Sequence, residues 1–266
     1  MHRTGWNPVR RNRHIGTAIQ GHGADNRLVI PENWSRDEDR RIHFYEQIED
    51  YLVIQCHVGS RNLPMLVEAP HTGWFYPCTP ADIAGVLALY PETDLQSLDL
   101  LVLRQPTRKQ RILRPAWGRA IFRFEHPRHA GRAIVLEAQD LEPFRWPRSL
   151  STEDQQERLR LLEDGNKECL TRRHIEFQIT PDSLRNKLLY RTLPHELGHL
   201  VDYAARNADD YWNRPPRERE DFAHRYATQS VARLRERGLI PFPPRIDPEQ
   251  LRHDGLEPAW FLPAMK

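Results

Sequence analysis

His195-Glu196-Leu197-Gly198-His199 is the stretch of this 266-residue chain whose residue types and spacing carry the clearest chemistry. On a helix, positions i and i+4 share a face, so both imidazoles reach one ion while Glu196 sits beside them. Two nitrogens and an oxygen in tetrahedral array suit zinc and leave a fourth position for water. The pKa of that water falls from ~15.7 to about 7, and a neighbouring carboxylate can take its proton. The expected cofactor is therefore one Zn2+ and the expected chemistry hydrolysis. A chain of this composition produces the five-residue pattern by chance about once in twenty, so its surroundings must decide.

Those surroundings agree with the chemistry. A cleanly alternating segment, residues 174–180, precedes the motif and reads as a strand. Two helical segments follow, about 182–206 and 217–237, the second closed by Gly238. Thr192-Leu193-Pro194 looks like a local restart or kink, because Pro194 lacks a backbone donor. The second helix carries Glu220, twenty-one positions after His199.

The pair HELGHLVD (195–202) and EDFAHRYA (220–227) resembles the gluzincins, zinc metallopeptidases with an HExxH motif and a later glutamate. It is most similar to compact bacterial members, such as the protease domain of anthrax lethal factor. The match covers about 33 residues (195–227). The resemblance implies a zincin-like α+β fold with a small mixed sheet above the active-site helix. It implies that His195, His199 and Glu220 hold zinc and that Glu196 is the general base. Glu218, Asp221 and His224 remain alternatives for the third ligand. It further implies a tyrosine donor to the developing oxyanion, for which Tyr211 is at a suitable offset. Many relatives place an acidic residue one turn beyond the ligand glutamate; here that position is His224. Asp202 matches the Val-Asp after the motif and is expected to anchor an arginine or a ligand histidine. Peptide substrate is expected along an edge strand, with Arg132–Glu137 (RAIVLE) the candidate and its arginines favouring acidic or extended polar sequences. Small bacterial relatives of this kind often cut one dedicated protein partner.

The remaining elements must position this machinery. Thr79-Pro80-Ala81-Asp82 opens a helix that stops near Pro91, and Ser151-Thr152-Glu153-Asp154 opens another to about Glu163, ended by Gly165-Asn166. Residues 98–103, 120–124 and 132–137 read as strands, the last after a turn at 127–131. From Pro31 to about Val53, Ile42, Phe44, Tyr45, Ile48, Tyr51 and Leu52 recur at helical spacing. The expected organisation is a flexible arm (1–27), an N-terminal extension (28–74), the catalytic domain (75–240) and a proline-rich tail (241–266). The tail is expected to wrap the surface, and covering the catalytic cleft is one role it could have.

Charge excludes some functions. With 39 basic against 37 acidic residues there is no global field for nucleic acid. Residues 101–150 nevertheless hold eleven basic and four acidic side chains, among them Trp117, Phe122, Phe124, Phe144 and Trp146. A zincin-fold binding or regulatory protein that uses this basic face for nucleic acid or protein is therefore the alternative reading. No apolar run is long enough for a membrane span, and the N-terminus lacks the apolar stretch of a secretory signal. Cys56, Cys78 and Cys169 are odd in number and widely spaced, which fits a reducing, cytoplasmic setting.

Overall fold

Eight residues on each side of Gly59-Ser60 form an antiparallel hairpin, β1 (Tyr51–Val58) and β2 (Arg61–Glu68), with Val58 opposite Arg61. Gly59 makes that two-residue turn at a φ of 59°, a conformation glycine adopts without strain. A computed structural model of the chain describes residue 48, residues 50–107, residue 111 and residues 116–263. Three more strands extend the hairpin: β3 (Leu100–Arg104), β4 (Gly118–His126) and β5 (His129–Glu137). Their order is β1-β2-β3-β5-β4, with β3 parallel to both β2 and β5, and β4 antiparallel to β5. The result is a mixed sheet in an α+β chain.

Two expectations change here. Residues 51–68, expected in an N-terminal extension, supply two of the five strands, and the chain from Tyr45 onward forms one unit. Tyr51 and Leu52 belong to β1 rather than to a helix ending at Val53; most of that expected helix, and the arm 1–27, lie outside the described residues. The second change concerns the edge. Arg132–Glu137 is an interior strand, and the sheet's edges are β1 and β4, of which β4 flanks it. The reason lies in its residues: Ala133 and Val135 fill the core on one face, Ile134 and Leu136 the core on the other, so both faces are covered. β4 instead carries Arg119, Arg123 and Glu125 and a break in register between Ile121 and Phe124, as exposed edges do.

Helices cover the larger core. α1 (Pro80–Leu87) starts at the expected place: Thr79 Oγ1 accepts from Asp82 N, and Asp82 accepts from Thr79 N. A short α2 (Glu92–Leu95) leads into β3. Ser151 and Asp154 cap α3 (Thr152–Glu163) in the same reciprocal way, and Gly165 ends it at a φ of 98°. The strand expected at 174–180 forms over His174–Gln178, but in a separate three-stranded sheet between β6 (Phe144–Pro147) and β7 (Lys167–Leu170). We number it β8.

The segment expected to be helical from 182 is broken once. α4 (Pro181–Lys187) widens into a π-helical turn, Leu188–Thr192, before α5 (Leu193–Ala204). Pro194 cannot donate to the carbonyl four residues back, and Leu193 N donates five residues back to Leu188 O. After α6 (Ala208–Asn213), α7 (Pro216–Glu236) is the long second helix, with Gly238 beyond it at a φ of 66°. No helix among the described residues is long and apolar enough to cross a membrane.

The proline-rich tail is built into the core. It contains α8 (Pro248–His253), and Leu251, Leu256 and Phe261 join the large core cluster beside Ile83, Val86 and Leu87 of α1. Polar contacts fix it further: Arg245 N donates to Asp82 Oδ1 at 2.9 Å, Thr79 Oγ1 to Arg245 O at 2.9 Å, and Tyr76 N to Trp260 O at 2.7 Å. Its hydrophobes are too sparse to show a period, which is why the sequence reads as surface wrapping. Phe261→Ala should destabilise the chain by about 3–5 kcal/mol through the cavity it leaves. A urea midpoint that does not move would show that the tail merely lies on the surface.

Candidate metal centre

α5 and α7 approach each other so closely at Gly198 that a side chain there has no room. A Cβ at Gly198 would lie 3.1 Å from the Ala223 Cα and 3.0 Å from Tyr226 Cδ1. This packing sets α7 against the histidine face of α5 and brings Glu220 over it. His195 Nε2 lies 3.1 Å from His199 Nε2 and 3.3 Å from Glu220 Oε2, and His199 Nε2 lies 3.5 Å from Glu220 Oε1. Donors held ~2.0–2.1 Å from a tetrahedral zinc are separated by about 3.3 Å, so the two imidazole nitrogens and the Glu220 carboxylate fit that ion. They are the one set of three or more His, Cys, Asp or Glu donors among the described residues spaced to hold a metal. The two imidazoles also hold the Glu220 carboxyl well below the ordinary glutamate range.

Glu196 meets the sheet instead. Its Oε2 accepts from Ala120 N of β4 at 2.8 Å, joining α5 to the edge strand. Burial pushes the Glu196 carboxyl up, against the charges of His195 and His199 and the Ala120 N–H, which favour the ionised form. In an antiparallel strand the N–H and C=O of one residue point to the same side. Ala120 therefore shows that the outer edge of β4, which pairs with no strand, faces the histidines. A cleft of about 440 Å³ lies between them, lined by Gly118–Phe122 on one side and by His195, Glu196, His199, Tyr211, Arg219 and Glu220 on the other. No described residue of the tail lines it.

Tyr211 is brought to the site from α6, behind a ligand. It is buried, and its hydroxyl is 3.5 Å from His199 Nδ1, the ring nitrogen turned away from Glu220. That places it to orient His199, while its side chain also lines the cleft, and burial first of all pushes its phenol up to about 12. Phe122 of β4 packs on the same residue, with ring centroids 5.0 Å apart. Asp202 is fully buried and anchors two arginines, Arg206 Nε at 2.9 Å and Arg214 Nη1 at 2.6 Å. Glu218, an alternative ligand by sequence, lies 3.5 Å from Arg214 Nε.

His224 has no carboxylate's role. Its ring packs against His195 with centroids 4.5 Å apart, and His195 Nδ1 is buried without a hydrogen-bond partner among the described residues. Three contributors have no signal in the motif. Ala120 acts through its backbone, and Arg219 stacks on Tyr211 and Trp212. Gly118 admits Thr192, whose Cγ2 would be 2.7 Å from a Cβ there.

Among the described residues, six of the eleven basic side chains of 101–150 pair with carboxylates of the same chain. Arg104 and Arg119 meet Glu137, Arg111 meets Asp140 and Glu142, Arg123 meets Glu125, Arg132 meets Asp99, and Arg145 meets Glu176. These pairs are distributed over two sheets.

No protein-family model, curated protein or solved structure matches this chain. The resemblance to gluzincins is carried by the sequence of residues 195–227.

The contact at Gly198 makes a prediction of unusual sign. In an unobstructed helix glycine to alanine stabilises by roughly 0.5–1 kcal/mol. Gly198→Ala should instead destabilise by about 1–3 kcal/mol, the scale of overpacking, in urea unfolding. A gain in stability would mean that the helices do not meet as described.

Proposed function

We propose that this chain is a zinc-dependent metallopeptidase of the HExxH-plus-glutamate, zincin-like kind, acting on a protein or peptide laid along β4. The observation that supports this most is the convergence of His195, His199 and Glu220 to 3.1–3.5 Å, with Glu196 alongside and braced by an edge strand. His195, His199 and Glu220 would hold the zinc. When bound it supplies a Lewis acid and a water of lowered pKa.

The chain's own residues do the rest. The outer edge of β4 offers unpaired backbone groups to an extended peptide, which adds as a further antiparallel strand. Such a peptide runs past His195 and Glu196 with its scissile carbonyl over the three ligands. Glu196 keeps Oε2 on the Ala120 N–H, so Oε1 is the atom that takes a proton from water and returns it to the leaving amine. Tyr211 holds His199 from behind, with Phe122 packed against its ring.

The binding-protein alternative has less to rest on, since six of the eleven basic residues that suggested it meet carboxylates of the same chain. Glu196→Gln separates the two readings. The variant should keep its fold and its zinc while cleavage of a peptide library, followed by mass spectrometry, falls by about 10²–10⁴-fold. Undiminished cleavage by the zinc-loaded variant would refute the role given to Glu196.

A further inference from the structure

A second cavity, of about 640 Å³, opens on the far side of the catalytic residues. It shares Gly118, His195 and Glu196 with the cleft, so the two cavities flank the same catalytic point. Trp117, just before β4, and Lys187, the last residue of α4, face each other across it. A peptide antiparallel to β4 places its C-terminal part toward the start of that strand, and so toward this cavity.

Lys187 is an unusual residue to find there. It is nine-tenths buried, with its ammonium 3.9 Å from the centroid of the Trp117 ring. Its nearest carboxylate oxygen, Glu157 Oε1, is at 4.0 Å, the outer limit of an ion pair. Its side chain makes no hydrogen bond with the described residues. The carboxylates around it are taken by stronger partners: Arg191 donates to both Glu157 and Asp164, and Arg160 lies 3.6 Å from Glu157. An ammonium largely withdrawn from water and without hydrogen bonds within the chain is unfavourably placed, and burial pushes this one down to about 8. A group that supplies the missing bonds removes that cost, and a carboxylate supplies the strongest ones.

We infer that this cavity receives a carboxylate of the bound peptide and that Lys187 selects it. The inference rests on the peptidase reading for the peptide's course. It also moves acid preference from Arg132, which is occupied by Asp99 at 3.0 Å, to a residue beside the catalytic point. Two sources fit the chemistry, an Asp or Glu side chain beyond the scissile bond and the peptide's own C-terminus.

Calorimetric titration of the full-length Glu196→Gln protein, loaded with zinc, tells the sources apart without cleavage. The probes are alanine hexapeptides: with a C-terminal amide and Glu, Gln or Ala at the fourth position, and the all-alanine peptide as its free acid. If a side chain is bound, Glu should exceed Gln by about tenfold in affinity; if the terminus is bound, the free acid should exceed the amide by about tenfold. Adding Lys187→Met should abolish whichever preference is seen, and Lys187→Arg should retain most of it. As a readout that needs no change at Lys187, the preferred acid should alter tryptophan emission, and Trp117→Phe should remove that change. An acid preference that survives Lys187→Met, equal affinity for all four peptides, or no binding would each overturn the inference. Zinc content measured on the same samples keeps the questions apart. Zinc without acid preference defeats only the role of Lys187, and acid preference without zinc defeats only the peptidase reading.

Discussion

Two histidines one helical turn apart present two donors, and a third must come from another element that can approach within a few ångströms. The packing of α5 on α7 at Gly198 meets that condition. A side chain at this position would push against the Ala223 backbone, one turn from Glu220. The glycine inside the motif is thus tied to the ligand on the next helix. The wide turn Leu188–Thr192 and the start at Leu193-Pro194 then set where α5 begins.

A second constraint joins the helix to the sheet. Glu196 spends one oxygen on the Ala120 N–H, so the proposed base and the edge strand are positioned by a single hydrogen bond. The same bond fixes which backbone groups of β4 face the cleft. Tyr211, held between Phe122 and His199, closes the loop from strand to ligand and back. The proposed chemistry and the proposed substrate path therefore rest on the same few contacts.

Much of this was legible in the residues. The capping pairs at Thr79/Asp82 and Ser151/Asp154 are local, reciprocal and four residues long, and they start helices where the sequence places them. The histidines on α5 follow from their spacing, whereas Glu220 on α7 came from the resemblance of residues 195–227, with Glu218, Asp221 and His224 left open. What was not legible depends on neighbours distant in sequence. RAIVLE looks like any strand, and only pairing with β3 and β4 makes it interior. Its unbroken apolar run was the available clue. The hairpin 51–68 was masked by residues before it that recur at helical spacing, and the tail by prolines that outnumber its buried Leu251, Leu256 and Phe261. Lys187 carries no motif at all; burial against Trp117 gives it meaning.

The account turns on three donors from two helices holding one ion. Elemental mass spectrometry of the chain, purified without chelators, tests this directly beside the variant Glu220→Ala. About one zinc per chain in the wild type and a clear loss in the variant is the expected result. No zinc in the wild type, or equal zinc in both proteins, would contradict it.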